Sequence, residues 1–195
     1  MGNLAKRAIA LPVAALSAVA LTGVVAGTAN AAAVTSGSVT LSINTSFLTA
    51  LAKHGVIVLP HGASSVTKAN GQVSVTFAAT GGDANISTFS GTISTSGSLC
   101  IRDVKTGKGA NLSALLFDLT DTQWDGQPSA AVGEEPLVDL AGTQSGNING
   151  TTQTYTASDL TLDAAGAAYL DSALHTSAFV SGQDIGSFSA TWVYA

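Results

Sequence analysis

The side chains able to do chemistry in this sequence are three histidines, a run of aspartates, one cysteine and a few aromatics. His54 and His61 are seven residues apart. Two histidines can share a metal ion, but the remaining ligands are normally cysteines or carboxylates, and no such pair lies near them in sequence. His54 and His175 instead fall at the C-termini of predicted helices, where the helix dipole favours positive charge. Asp118, Asp121 and Asp125, with Asp103 upstream, would share a face on a helix; on strands, Asp118 faces away from the other two. They lack the dense oxygen pattern of a calcium loop and read as a solvated acidic edge. Glu134 and Glu135, before Pro136, read as solvent-facing loop charges. Glycoside hydrolysis needs two carboxylates facing each other across a cleft, a relation that spacing along the chain does not define.

Cys100 is the only cysteine, which excludes an internal disulfide. It stands between Leu99 and Ile101 and reads as a small buried side chain rather than a thiol nucleophile. Serines are abundant, but no Gly-x-Ser-x-Gly elbow, phosphate loop or dinucleotide fingerprint occurs. The expectation is therefore a protein that is not an enzyme, with no catalytic residue, no metal and no cofactor. Trp124, Trp192 and Tyr194 remain as candidates for ligand binding, since aromatic faces on a sheet can stack on a sugar or a partner. Core packing is the usual role of such residues and the favoured one for all three.

The elements that must position these side chains are mostly strands. Gln72–Ile101 organises the chain. Val73, Val75 and Phe77 alternate with polar residues, Thr80-Gly81-Gly82-Asp83 marks a turn or bulge, and Ile93, Leu99 and Ile101 share a face in a second run. Val39, Leu41 and Ile43 line one face of the first strand. Asn44-Thr45-Ser46 offers caps for a short helix that His54-Gly55 ends. Val56–Leu59 reads as a strand stopped by Pro60-His61-Gly62, and Ala63–Gly71 as a loop or edge strand. Asn111–Leu119 reads as a strand, although Leu112, Leu115, Leu116 and Leu119 also fit a helical period. Thr120–Trp124 is expected to continue the sheet, Asp125-Gly126 to make a hairpin turn, and Ser129–Val132 to return. Leu137–Leu140 is a short strand and Gly142–Gln153 a polar loop. Tyr155, Leu160 and Leu162 resume the alternation, Asp163 caps a second helix over Ala164–His175, and Phe188, Ala190, Trp192 and Tyr194 face one way in the last strand. The fold class this implies is mainly β: an antiparallel β-sandwich or partly closed barrel of eight to ten strands, with two short helices.

Lys6 and Arg7 precede an uncharged stretch from Ile9 to about Gly27, and Ala29-Asn30-Ala31 offers small residues at the spacing a signal peptidase reads. Residues 1–31 are expected to be a cleaved signal peptide and residues 32–195 a single domain. The protein is then expected to be secreted, either free outside the cell or associated with the cell wall, with no stable membrane insertion after cleavage. After Ala31, five basic residues face twelve acidic ones, a net charge of −7. That acidic balance disfavours nucleic acid and anionic membrane surfaces as partners.

The segments Phe77-x-x-Thr80-Gly81-Gly82 and Thr88-Phe89-x-Gly91-x-Ile93-x-x-Ser96-Gly97-x-Leu99-x-Ile101 resemble secreted actinobacterial proteins of the HtaA-like type. The first helix with His54-Gly55-Val56, and the late helix after Leu160-Thr161-Leu162, are similar to that layout. The resemblance covers nearly all of the chain after the signal and implies a cell-surface β domain. Some HtaA domains bind haem through a tyrosine in the first helical segment and a histidine after the Gly-Thr-Ile strand. This chain has Phe47, Leu48, Thr49, Ala50 and Leu51 at the first place, and Ser96, Gly97 and Ser98 at the second. The leading expectation is thus a non-enzymatic envelope or extracellular protein acting by binding, adhesion or surface assembly, its partner a cell-wall component or another copy of itself. Haem or small-ligand capture of the HtaA type is the alternative, and a secreted hydrolase the second alternative.

Overall fold

The structure is a computed structural model and describes residues 33–128 and 135–195. The expected signal peptide, the expected return strand Ser129–Val132 and Glu134 lie outside the described residues. The chain folds as β1 (Val34–Asn44), α1 (Thr45–His54), β2 (Val56–His61), β3 (Ser65–Ala69), β4 (Gln72–Gly82), β5 (Thr92–Thr95), β6 (Ser98–Asp103), β7 (Gly109–Asp118), β8 (Gln123–Pro128), β9 (Glu135–Asn149), β10 (Thr152–Leu162), α2 (Ala164–Leu174) and β11 (Asp184–Tyr194). The class is mainly β, as the alternation predicts, with eleven strands among the described residues where eight to ten were expected.

Every strand pairing is antiparallel. The strand order β7-β5-β4-β1-β11-β10-β9-β8 closes on itself through β7–β8, making an eight-stranded barrel. Closure removes free edges from that ring. Outside it, β6 and then β2 extend from the first half of β7, and β3 extends from the first half of β4. β5 joins β4 to β7 at one end of the barrel only. Below it, β3 and β2 are two edges that do not pair with each other.

The core follows from the period-two pattern. Val39, Leu41, Val75, Phe77, Ile93, Phe117, Tyr155, Phe188, Ala190 and Trp192 are all buried inside the barrel wall. Phe117 sits among aromatics, its ring centroid 4.7 Å from Phe188, 5.6 Å from Tyr155 and 6.5 Å from Trp192. Asp163 caps α2 as expected, accepting from the N–H groups of Ala165 (2.6 Å) and Gly166 (3.2 Å). Asn44 precedes α1, but its side chain makes no cap bond. Its Nδ2 reaches Asp184, and its Oδ1 accepts from Gln72.

Four expectations are corrected. The second run of the organising stretch is two strands rather than one: the chain turns at Ser96-Gly97, where Gly97 has φ of 93° and packs on Phe77 and the carbonyl of His61. The hairpin after β7 turns at residues 119–122, not at Asp125-Gly126; Thr122 takes the positive φ, and Gly126 lies within β8, where Leu112, Leu115 and Leu137 leave no room for a larger residue. Gly142–Gln153 is not a loop. β9 and β10 form a long hairpin through Gly150-Thr151, paired down to Asn149 and Thr152. Finally, β2 runs through Pro60 to His61. This is allowed because β2 is an edge strand, where a missing N–H breaks no second ladder.

Candidate functional site

The barrel is filled with aromatics at the end closed by β5. At the other end it is lined by aliphatics and left partly open, and α1 sets the geometry there. Phe47 and Leu51 turn into the barrel and are buried, while Leu48 and Ala52 lie toward β2. The helix stops at Gly55, whose φ of 90° lets its N–H bond back to Ala52 and Leu51. Lys105 lies over Gly55 and brings its Nζ to 3.4 Å from the carbonyl of Lys53, satisfying the helix end.

Three adjoining spaces follow. The innermost, about 60 Å³, is bordered by Leu51, Leu112, Trp124, Leu170 and Phe179. A second, about 150 Å³, lies between β2 and β3 and is lined by Leu48, Val58, Pro60, Val66 and Val73. A shallower groove of about 320 Å³ runs between α1 and β2, along Leu48, Ala52, Ile57 and Leu59. Leu41, Ile43, Val58 and Leu99 are shared by the first two spaces, and Leu48 and Val58 by the last two. The lining is apolar throughout. At the mouth, Leu59 is 40% and Val66 55% exposed. Large aliphatics left in water beside an apolar hollow mark a place where burial by something else is favourable.

The residues singled out from the sequence do not assemble into one site. Trp192 is fully buried in β11, its Nε1 donating to the carbonyl of Ala84 at 2.9 Å. Trp124 is buried in β8, stacked on Phe77 at 6.1 Å. Both are packed in the core and offer no face to a sheet surface; Trp124 borders the innermost cavity from within. Tyr194 is half-buried at the chain end, its hydroxyl donating to the carbonyl of Gly150 at 3.3 Å. His54, His61 and His175 are exposed. Asp118 accepts from the N–H groups of Thr120 (2.7 Å) and Asp121 (3.4 Å) and so shapes the β7–β8 turn. Asp125 is not on a solvated edge: it is buried in β8. Cys100 is buried, and Arg102 donates toward its Sγ at 3.4 Å. Among the described residues, no three His, Cys, Asp or Glu side chains gather closely enough to hold a metal ion. No helix among them is long and apolar enough to cross a membrane.

Two ionisable groups are shifted by their surroundings. The Asp103 carboxylate is held below its usual range, chiefly by the N–H of Lys105 at 2.7 Å and also by the Thr106 hydroxyl at 2.9 Å. Burial pushes the Tyr155 phenol up to about 12; it donates to Gln144.

No protein-family model matches the chain, and no curated protein matches its sequence. A solved structure does: the crystal structure of the C-terminal domain of HtaA from Corynebacterium glutamicum superposes with a TM-score of 0.61, covering 84% of this chain and 99% of that domain at 14% identity. The fold is HtaA-like. At that identity the likeness concerns the path of the chain and not its chemistry. In the HtaA-like fold of this protein, α1 presents Phe47, Leu48 and Leu51 where the family resemblance places a tyrosine, and the β5–β6 turn carries serine and glycine where it places a histidine. The cleft itself was missed in the sequence. Its traces there are Ile57 and Leu59, apolar on the face opposite Val56 and Val58, and Val66 alone in a polar segment.

Proposed function

We propose that this protein is an exported, non-enzymatic binding protein that holds a small apolar ligand in the cleft between α1, β2 and β3. The observation that carries the reading is the cavity lined by apolar residues, with exposed Val66 in its wall and exposed Leu59 in the adjoining groove. Export is supported by the charged start, the apolar stretch and Ala29-Asn30-Ala31. A non-catalytic role is supported by the scatter of the titratable side chains, none of which lines the cleft. Haem is a weaker occupant than a metal-free ligand, because the two positions where the resemblance implies iron ligands hold residues that cannot ligate it.

The test is titration of the protein collected from culture medium with a neutral solvatochromic dye and, separately, with haemin. Saturable dye binding at one site, with no sharpened or shifted Soret band, is the expected result. Dye fluorescence that rises without saturation sinks the reading. Surface assembly is a second reading, favoured by the unpaired edges of β2 and β3. Size-exclusion at several concentrations checks it, since assembly through those edges raises the apparent mass with concentration.

A further inference from the structure

We infer that the cleft takes a single-chain anionic amphiphile: an acyl chain in the apolar cavity, with a carboxylate or phosphate head held at a basic rim. This rests on the binding reading above and adds the chemistry of the head and the tail.

The charge distribution carries it. Beyond residue 31 the chain has five basic residues, and four of them stand beside the cleft. Lys53 is in the last turn of α1, Lys68 is on β3, Arg102 is on β6 opposite Ile57, and Lys105, in the β6–β7 connection, lies over Gly55 at the end of α1. Lys68 lies two residues from Val66 on the same face of β3 and pairs with Val73; both valines line the cavity. Lys68 therefore stands at the rim of the apolar space. Among the described residues, no acidic side chain stands on α1, β2 or β3, and two lie near them. Asp103 is already engaged by Lys105 and Thr106. Asp184 lies beside Asn44, at the end of α1 opposite Lys53. Four of the five cations thus stand beside the apolar cleft, an arrangement that an anionic head on an apolar chain would complement.

The arrangement of the spaces points to a chain rather than a compact ring. A cavity of about 150 Å³ alone suits a small ring, but here it shares walls with the inner space on one side and with the groove beside α1 on the other, so the three together make an elongated path. Each methylene buried tightens binding about fourfold at most.

The test is displacement of the neutral dye from the secreted protein by octanoate, dodecanoate, dodecan-1-ol and dodecyl phosphate. Dodecanoate is expected to bind at least tenfold tighter than octanoate. It should bind about fivefold tighter than dodecan-1-ol at low salt, a gap that closes at high salt. Either ordering of dodecanoate and dodecyl phosphate supports the inference, and the ordering says whether a free acid or a phosphate-bearing lipid is the better occupant. Lys68→Glu should weaken dodecanoate about fivefold and leave dodecan-1-ol unchanged. Val66→Asp, at an exposed edge position, should weaken both; Ile148→Asp, exposed near the tip of the β9–β10 hairpin and in none of the cleft walls, should weaken neither. If dodecan-1-ol binds as tightly as dodecanoate at low salt, or Lys68→Glu has no effect, the anionic head is refuted while the apolar cleft stands. If neither dye nor any chain binds, both readings fall.

Discussion

The two buried tryptophans make a matched pair whose replacement tests the packing directly. Trp192→Phe and Trp124→Phe remove the same atoms from positions 0% and 2% exposed. The space left behind costs on the order of 1 kcal/mol in each case. The hydrogen-bond consequences then diverge. The Trp192 indole N–H donates to the buried carbonyl of Ala84 at 2.9 Å, and without it that carbonyl is stranded, a further cost of about 1–3 kcal/mol. The Trp124 N–H is buried with no hydrogen-bond partner among the described residues, so its removal abolishes a buried unpaired donor. Trp192→Phe should therefore be the more destabilising by about 2 kcal/mol, a gap of roughly 4–8 °C in Tm for a domain of this size. Urea and thermal unfolding followed by far-ultraviolet circular dichroism measure it, since the indole signal itself is altered. Equal losses in the two variants, or a larger loss for Trp124→Phe, would show that the Ala84 bond does not hold β11 to the β4–β5 connection as described.

Three further outcomes are expected. Asp163→Ala should cost about 1 kcal/mol in urea unfolding, because two N–H groups of α2 lose their acceptor. Tyr155 should ionise well above the usual range of a phenol. Its pKa is raised from 10.0 to about 12 in the folded state, so its contribution to stability is full below about pH 10 and is lost as pH rises through about 12; an ultraviolet absorbance titration with Tyr155→Phe as control checks this. Asp103 has the opposite sign. Its pKa is lowered from 3.8 on folding, so its contribution is present above that value and fades as pH falls through the lower folded one; Asp103→Asn should flatten the acid limb of the stability profile.

Where one face of a strand is buried, the alternation in the sequence read correctly: Val39, Leu41 and Ile43 in β1, Val75 and Phe77 in β4, and Phe188, Ala190 and Trp192 in β11 are buried in alternation, while β10 changes face at an irregularity between Ala157 and Leu160. The errors came where something other than burial decides the strand. The residues of β9 beyond Gly142 are largely exposed, and their strand conformation is supplied by the ladder to β10, a non-local cause that no local pattern records. In β7, a bulge with Ala114 at φ of 47° puts Leu112 and Leu115 on the same side, three residues apart. The helical spacing noticed there is the imprint of that bulge. Asp125-Gly126 has the composition of a turn, but Gly126 lies in a tightly packed strand, where an added Cβ would stand 3.1 Å from Leu137 and 3.2 Å from Leu115. The cleft was least legible, because it is a space between elements far apart in sequence, and its lining residues look like ordinary core.

The position of that space follows from one short element. β5 has four residues and bridges β4 to β7 near one end of the barrel only. At Gly97 the chain must pass close under the carbonyl of His61 and against the Phe77 ring, a path that a side chain would obstruct. β6 therefore leaves β5 and takes its place on the outer part of β7, carrying β2 with it. β3 stays on β4, and the two edges are left facing an opening that α1 covers only in part. A longer β5, paired along the full length of β4 and β7, would close the barrel and abolish the cavity. The opening is thus written into the strand register and does not depend on a loop that happens to stand aside. Variation of the lining residues would change which ligand fits without disturbing the aromatic end, where Phe117, Phe188 and Trp192 hold the barrel shut.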